Sequence, residues 1–129
     1  MLNPATGDTD GRGRPTLRRI VTFSKQWGFG GLVVINLFAF RATKPADLYS
    51  SPDPVGPDND ETIQRVTAAA NLTVCAWGHQ GSIRDRSGEV VGMIERPMCL
   101  GVTRRGEPRH PLYVSRGADL VPLNPLRRP

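Results

Sequence analysis

The residue of this chain best placed for chemistry is His110. It sits in Pro-Arg-His-Pro-Leu-Tyr, between Pro108 and Pro111. Two fixed backbone angles hold an imidazole in one orientation at little entropic cost, which suits hydrogen-bond donation or proton transfer. A surface histidine in a Pro-rich loop has the same sequence, so both readings stand. Asn36 interrupts the apolar run Gly-Leu-Val-Val-Ile-Asn-Leu-Phe. Its amide needs partners there, either a buried structural hydrogen bond or a bound ligand. Asp8 and Asp10 in Thr-Gly-Asp-Thr-Asp-Gly are close enough to hold a metal or activate water, though the same composition makes an ordinary turn. Cys75 and His79 are four apart, but no second ligand pair follows at metal spacing, and no metal site is expected. Gly-x-Ser-x-Gly, the P-loop and Gly-x-Gly-x-x-Gly are all absent from the sequence. Gly28-Phe29-Gly30-Gly31 is too short and precedes an apolar run instead of following one, so no cofactor is expected.

Periodicity indicates which elements must carry these groups. Pro15, the spacing of Leu17, Ile20, Val21 and Trp27, and the stop at Gly28 predict a helix over 15–28. Residues 31–40 form a continuous apolar run with β-branched Val33, Val34 and Ile35, the pattern of a strand buried on both faces. A long irregular connection with four prolines follows over 41–60. Helical spacing resumes over 58–70, a strand is expected at 72–77, a Gly-weakened helix at 82–96 and a short strand at 98–103. The alternation predicts an α/β, three-layer sandwich with a short, mainly parallel sheet, folded as a single domain over 1–129.

In such sheets, ligands bind beyond the carboxyl ends of the strands. Asn36 ends Val-Val-Ile-Asn, Gly78 and His79 follow Cys-Ala-Trp, the loop with Arg109 and His110 follows the last predicted strand, and all are expected along one edge. The opening Met-Leu-Asn-Pro-Ala-Thr-Gly-Asp reads as the turn that follows a strand. Extending the alternation backward places that strand upstream of Met1, so the chain is expected to lack its N-terminal strand. Asn3 then joins the same edge.

At 129 residues with 14 glycines and 12 prolines, the chain suits one small core. No apolar run approaches membrane-spanning length and no signal-peptide pattern opens the chain, so a cytoplasmic protein without a membrane role is expected. Cys75 and Cys99 lie in apolar stretches and are expected as buried thiols. The net charge of +5 rests on 15 arginines and 2 lysines. Arginine forks phosphate well, but biased genomic composition gives the same excess. The cations gather at Arg12, Arg14, Arg18 and Arg19 and again at Arg104, Arg105, Arg109 and Arg116, while 47–61 is acidic.

The blocks Met-Leu-Asn-Pro-Ala-Thr-Gly-Asp, Trp-Gly-Phe-Gly-Gly-Leu, Val-Ile-Asn-Leu-Phe-Ala-Phe-Arg-Ala-Thr, Asp-Pro-Val-Gly-Pro-Asp-Asn-Asp, Cys-Ala-Trp-Gly and Gly-Glu-Pro-Arg-His-Pro-Leu-Tyr-Val, in this order, resemble the bacterial and phage family known as domain of unknown function 1643. Members of that family usually carry one or more strands before the first block. More remotely, the block order is similar to the uracil-DNA glycosylase superfamily. That resemblance implies a parallel sheet with helices on both faces and a first loop that positions water. It also implies an Asn that reads a pyrimidine edge and a late His that stabilises the leaving base. Asn3, Asn36 and His110 occupy the matching places, with Met1 where that first loop has Gly and Leu112 where the His-Pro loop has Ser.

On that resemblance, Asn3 and His110 are the catalytic residues and Asn36, Asp8, Arg109 and Tyr113 bind substrate. Arg18, Arg104 and Arg105 bind phosphate. The partner is DNA or a nucleotide whose flipped base is cleaved by an N-glycosylase. A non-catalytic nucleotide or nucleic-acid binding module and an inactive fragment are the rival readings, because a shared fold hosts many functions.

Overall fold

Helix α1 (Arg14–Gln26) begins where the sequence predicts, with Pro15 in the first turn. Its end is closed by Gly28 at φ 84°: the Gly28 N–H donates to Lys25 O and the Phe29 N–H to Ser24 O, a Schellman closure that needs the left-handed backbone of glycine. Phe23 is buried and stacks on Trp27 with ring centroids 5.2 Å apart, whereas Leu17 is half exposed. The computed structural model describes residues 1–4, 14–41, 44 and 46–123. Asp8, Asp10 and Arg12 lie outside them.

The described residues between 41 and 58 are irregular as expected, except for the short helix α2 (Asp47–Ser50), whose Leu48 is fully buried. Helix α3 (Asn59–Ala69) buries Ile63, and strand β1 (Thr73–Cys75) follows. The helix expected over 82–96 is largely replaced. Residues His79–Asp85 form 3-10 turns broken at Ile83 and Arg84, and only Arg86–Val91 is α-helical (α4). Arg84 and Asp85 take left-handed backbone angles, which cannot continue a right-handed helix. Strand β2 (Pro97–Cys99) is shorter than the predicted strand, and β3 (Val121–Pro122) arises from the Pro-rich tail, which carries no strand periodicity.

The fold is mixed α/β with a small three-stranded sheet in the order β1-β2-β3. β1 and β2 are parallel, with Cys75 opposite Cys99, and β2 and β3 are antiparallel, so the sheet is mixed and not mainly parallel. Both cysteines are buried thiols, as expected. The strand predicted over 31–40 needs the firmest correction. Residues 31–36 run without turn or bend but join no sheet among the described residues, and Val33 is 70% exposed. An apolar run becomes a buried strand only when neighbours take up its N–H and C=O groups. Among the described residues, backbone partners come only further on: Met1 and Leu2 at residues 35–38, and Val55 and Pro54 at Ala39 and Phe40. Leu37 and Phe38 then turn into the core with Leu48, Ile63 and Cys99. Among the described residues, no helix is long and apolar enough to cross a membrane.

Candidate functional site

Met1 builds the first wall of the site. Its ammonium donates to Ile35 O at 3.0 Å, and the Leu37 N–H donates to Met1 O at 2.9 Å. This pair of bonds is the parallel-ladder pattern, and it places Met1 directly opposite Asn36. The Phe38 N–H then bonds Leu2 O, which brings Asn3 beside the end of the same segment. Burial lowers the pKa of the Met1 ammonium from 8.0 to about 6, and the nearby Cys75 thiol opposes that shift.

The turn at Asn36 and Leu37 is held from below. Asn59 Nδ2 donates to both the Asn36 and Leu37 carbonyls at 3.0 Å, and Arg86 Nε donates to Leu37 O at 2.8 Å. Arg86 is 1% exposed and pairs through Nη2 with Asp60 at 2.6 Å. Burying a guanidinium is tolerable only with such partners. The side chain of Asn36 remains half-buried and lines the cleft described below.

The second wall comes from the loops after β1 and β2. The Gly78 N–H donates to Pro108 O at 2.8 Å, and a Cβ on Gly78 would lie 3.5 Å from the His110 Cβ. Gly78 has φ 82°, so the close crossing also uses a backbone conformation glycine adopts freely. His110 is half-buried, and its Nδ1 accepts from the Leu112 N–H at 3.2 Å. That bond leaves the proton of the neutral ring on Nε2. The His110 pKa is lowered first by desolvation and then by the Met1 ammonium, which places the two groups within electrostatic reach of each other. Arg19 from α1 anchors the turn beyond His110, donating to Pro111 O and, at 3.0 Å, to Val114 O. Tyr113 is exposed, with its ring 5.6 Å from the imidazole and tilted by 49°.

The remaining expected residues divide. Arg109 turns back on its own hairpin, where Nε donates to Val102 O at 3.2 Å. Arg104 and Arg105 are exposed at the tip of that hairpin, which is closed by the Thr103 N–H to Glu107 O bond and the Val102 and Pro108 bridge. Arg18 is exposed on α1, and His79 is exposed at the start of the 3-10 turns. Asp8 lies outside the described residues. Among the described residues, no group of three or more His, Cys, Asp or Glu side chains is placed to hold a metal.

Sequence reasoning missed the supports of the site: Arg19, Arg86 and Glu107. Glu107 is 1% exposed and accepts from Ser87 Oγ at 2.5 Å, tying α4 to the hairpin that carries His110. Its only sequence signal is a carboxylate between Gly106 and Pro108, inside a short turn. Behind these residues lies an apolar cleft of about 730 Å³, lined by Met1, Val33, Asn36, Val74, Trp77 and Pro111 among others.

A family model described as protein of unknown function (DUF1643) matches residues 1–112. No curated protein and no solved structure matches the chain.

Proposed function

We propose that this chain, which belongs to the DUF1643 family, acts on the N-glycosidic bond of a nucleotide whose base is drawn out of its stack into the cleft that Asn36 and Pro111 line, next to His110 in the chain. The observation that carries the reading is His110 itself. It is a desolvated imidazole with a lowered pKa, Nδ1 is tied to the Leu112 N–H, and the ring proton is therefore left on Nε2. A neutral, fixed N–H donor suits a developing anion, because it stabilises charge without first having to be protonated. The likeness of the block order to the uracil-DNA glycosylase superfamily, with Asn3, Asn36 and His110 in the matching places of the sequence, supports this reading.

In the proposed reaction, the oxygen of a water oriented by Asn3 bonds to C1′ of the sugar. The C1′–N bond breaks, and its electron pair passes into the base. The charge on the base oxygen is met by His110 Nε2–H, and the proton of the water passes to solvent. Asn36 holds the Watson–Crick edge of the base, Tyr113 supplies an exposed ring beside the imidazole, and Arg109 lies on the neighbouring hairpin. Arg18, Arg104 and Arg105 provide exposed cations for phosphates, and binding would then weaken as salt rises.

The test is base release from single-stranded and mismatched DNA carrying uracil or modified pyrimidines, with His110→Ala as control. The reading predicts release that falls by about 100-fold or more in the variant, the usual effect of losing a charge-stabilising donor. Salt-dependent DNA binding without release would assign the protein to the class of non-catalytic nucleic-acid binding modules. Absence of both would overturn the reading.

A further inference from the structure

The turn that follows His110 presents the most exposed large apolar side chain among the described residues: Tyr113 is 77% exposed. A single exposed tyrosine is ordinary. This one is held still. Pro111 fixes a backbone angle at the start of the 3-10 turn Pro111–Tyr113. The Leu112 N–H donates to His110 Nδ1 at 3.2 Å, and the Tyr113 N–H donates to His110 O at 3.0 Å. Arg19 holds the Pro111 and Val114 carbonyls to either side. The imidazole supports the tyrosine ring on one side, with centroids 5.6 Å apart and planes tilted by 49°, and most of the phenol stays in water. A ring that is fixed before binding gives up little side-chain entropy when a flat partner is laid on it.

Cations are carried by the same loop and by the helix packed on it. Arg109 and Arg116 flank the turn in the chain, and Arg18 lies on α1, which packs against the turn; all three are exposed. Among the described residues, none of the three is in an ion pair. The acid nearest in the chain, Glu107, is buried against Ser87 and does not offset them at the surface. A rigid aromatic ring accompanied by unpaired guanidinium groups is complementary to a base with its adjoining phosphates. A duplex shows only base edges in its grooves, whereas a single strand also offers base faces.

We propose that Tyr113 is a stacking platform for an unpaired base of single-stranded DNA, beside the nucleotide drawn into the cleft, with Arg18, Arg109 and Arg116 on the adjoining phosphates. This rests on the reading above in taking DNA as what meets His110, and it adds that the protein selects single strands over duplex. Because every base has a face to stack, the platform is indifferent to sequence.

The experiment uses the 129-residue chain and fluorescein-labelled oligothymidylate of about 12 nucleotides, a length within the usual site size. Fluorescence anisotropy compares this strand, its duplex with oligoadenylate, and a strand of equal length whose residues are all abasic. Binding of the thymidylate strand about tenfold or more tighter than duplex supports the proposal. So does a loss of fivefold or more for the abasic strand, which keeps the phosphates and removes the stacking. Tyr113→Ala is expected to weaken thymidylate binding by a similar factor and Tyr113→Phe to leave it within about twofold, both with the parent's unfolding midpoint, since the side chain is exposed. Equal binding of strand and duplex, equal binding of thymidylate and abasic strands, or parental affinity in Tyr113→Ala would overturn it. Tighter binding of the matching RNA strand would overturn the assignment to DNA. The probe carries no base to be excised. Single-strand binding without base release would therefore leave this proposal standing and sink the glycosylase reading, and base release without any preference for single strands would do the reverse.

Discussion

Gly81 and Trp77 show how closely this small core is fitted. A Cβ on Gly81 would run into Cδ1 and Nε1 of the Trp77 indole, which is 5% exposed and has little room to move. Gly81→Ala is therefore expected to destabilise the protein by about 1–3 kcal/mol, the usual range for overpacking. Urea titration followed by tryptophan fluorescence would measure it. Two titrating groups make a second point about single residues. The Met1 ammonium has its pKa lowered from 8.0 to about 6, and the His110 pKa is lowered from 6.5. Each group binds its proton more weakly in the folded state than in the unfolded one, so protonation favours unfolding. Stability should fall as pH drops from about 8 towards 6 on account of Met1, and fall further below 6.5 on account of His110. Acetylating the N-terminus removes the first part and leaves the desolvation part of the second. Denaturation midpoints between pH 8.5 and 5.5, with and without acetylation, would separate the two.

The elements succeed or fail according to whether their partners are local. Helices α1 and α3 and strand β1 were legible because their apolar spacing and end signals lie within each segment. The run 31–40 was misread because strand formation depends on a neighbour, and residues 31–34 have none among the described residues. The stretch 82–96 was misread because left-handed angles at Arg84 and Asp85 carry no periodic signal. The fixed setting of His110 was legible through the two prolines that flank it, whereas the burial of Arg86 was not, since a buried charge is defined only by distant partners. Its pairing leads to a prediction. Asp60 is half exposed, yet Asp60→Ala would leave the guanidinium of Arg86 buried with the Leu37 carbonyl as its remaining partner. The expected loss is about 3 kcal/mol, well above that of an ordinary surface carboxylate. Asp53→Ala, in which a carboxylate accepts only from the exposed Gly56 N–H, should cost about 1 kcal/mol or less and serves as the comparison. A helix can likewise control the site loop at a distance. Arg19→Gln releases the Pro111 and Val114 carbonyls. The loop should then open to water and the His110 pKa should move back towards 6.5, which NMR titration of the imidazole would detect.

For the whole molecule, the balance between charge and exposed apolar surface decides how it behaves in solution. The net charge of +5 keeps copies apart, but Leu32, Val33 and Val34 are exposed at 38%, 70% and 41% on a segment without backbone partners among the described residues. An unpaired apolar edge is a template for another chain, and screening of the net charge by salt removes the barrier that opposes contact. Self-association should therefore rise with ionic strength. The DNA binding proposed above would do the opposite, because phosphate contacts from Arg18, Arg104 or Arg105 would be weakened by salt. Val33→Lys tests the first effect with little risk to the fold: Val33 is the most exposed residue of the segment, and a lysine there can keep its ammonium in water. The expected result is lower light scattering and a smaller sedimentation coefficient at high salt, with an unfolding midpoint within about 0.5 kcal/mol of the parent. Unchanged association in the variant would place the contact elsewhere on the surface and remove 31–35 as the edge through which copies meet.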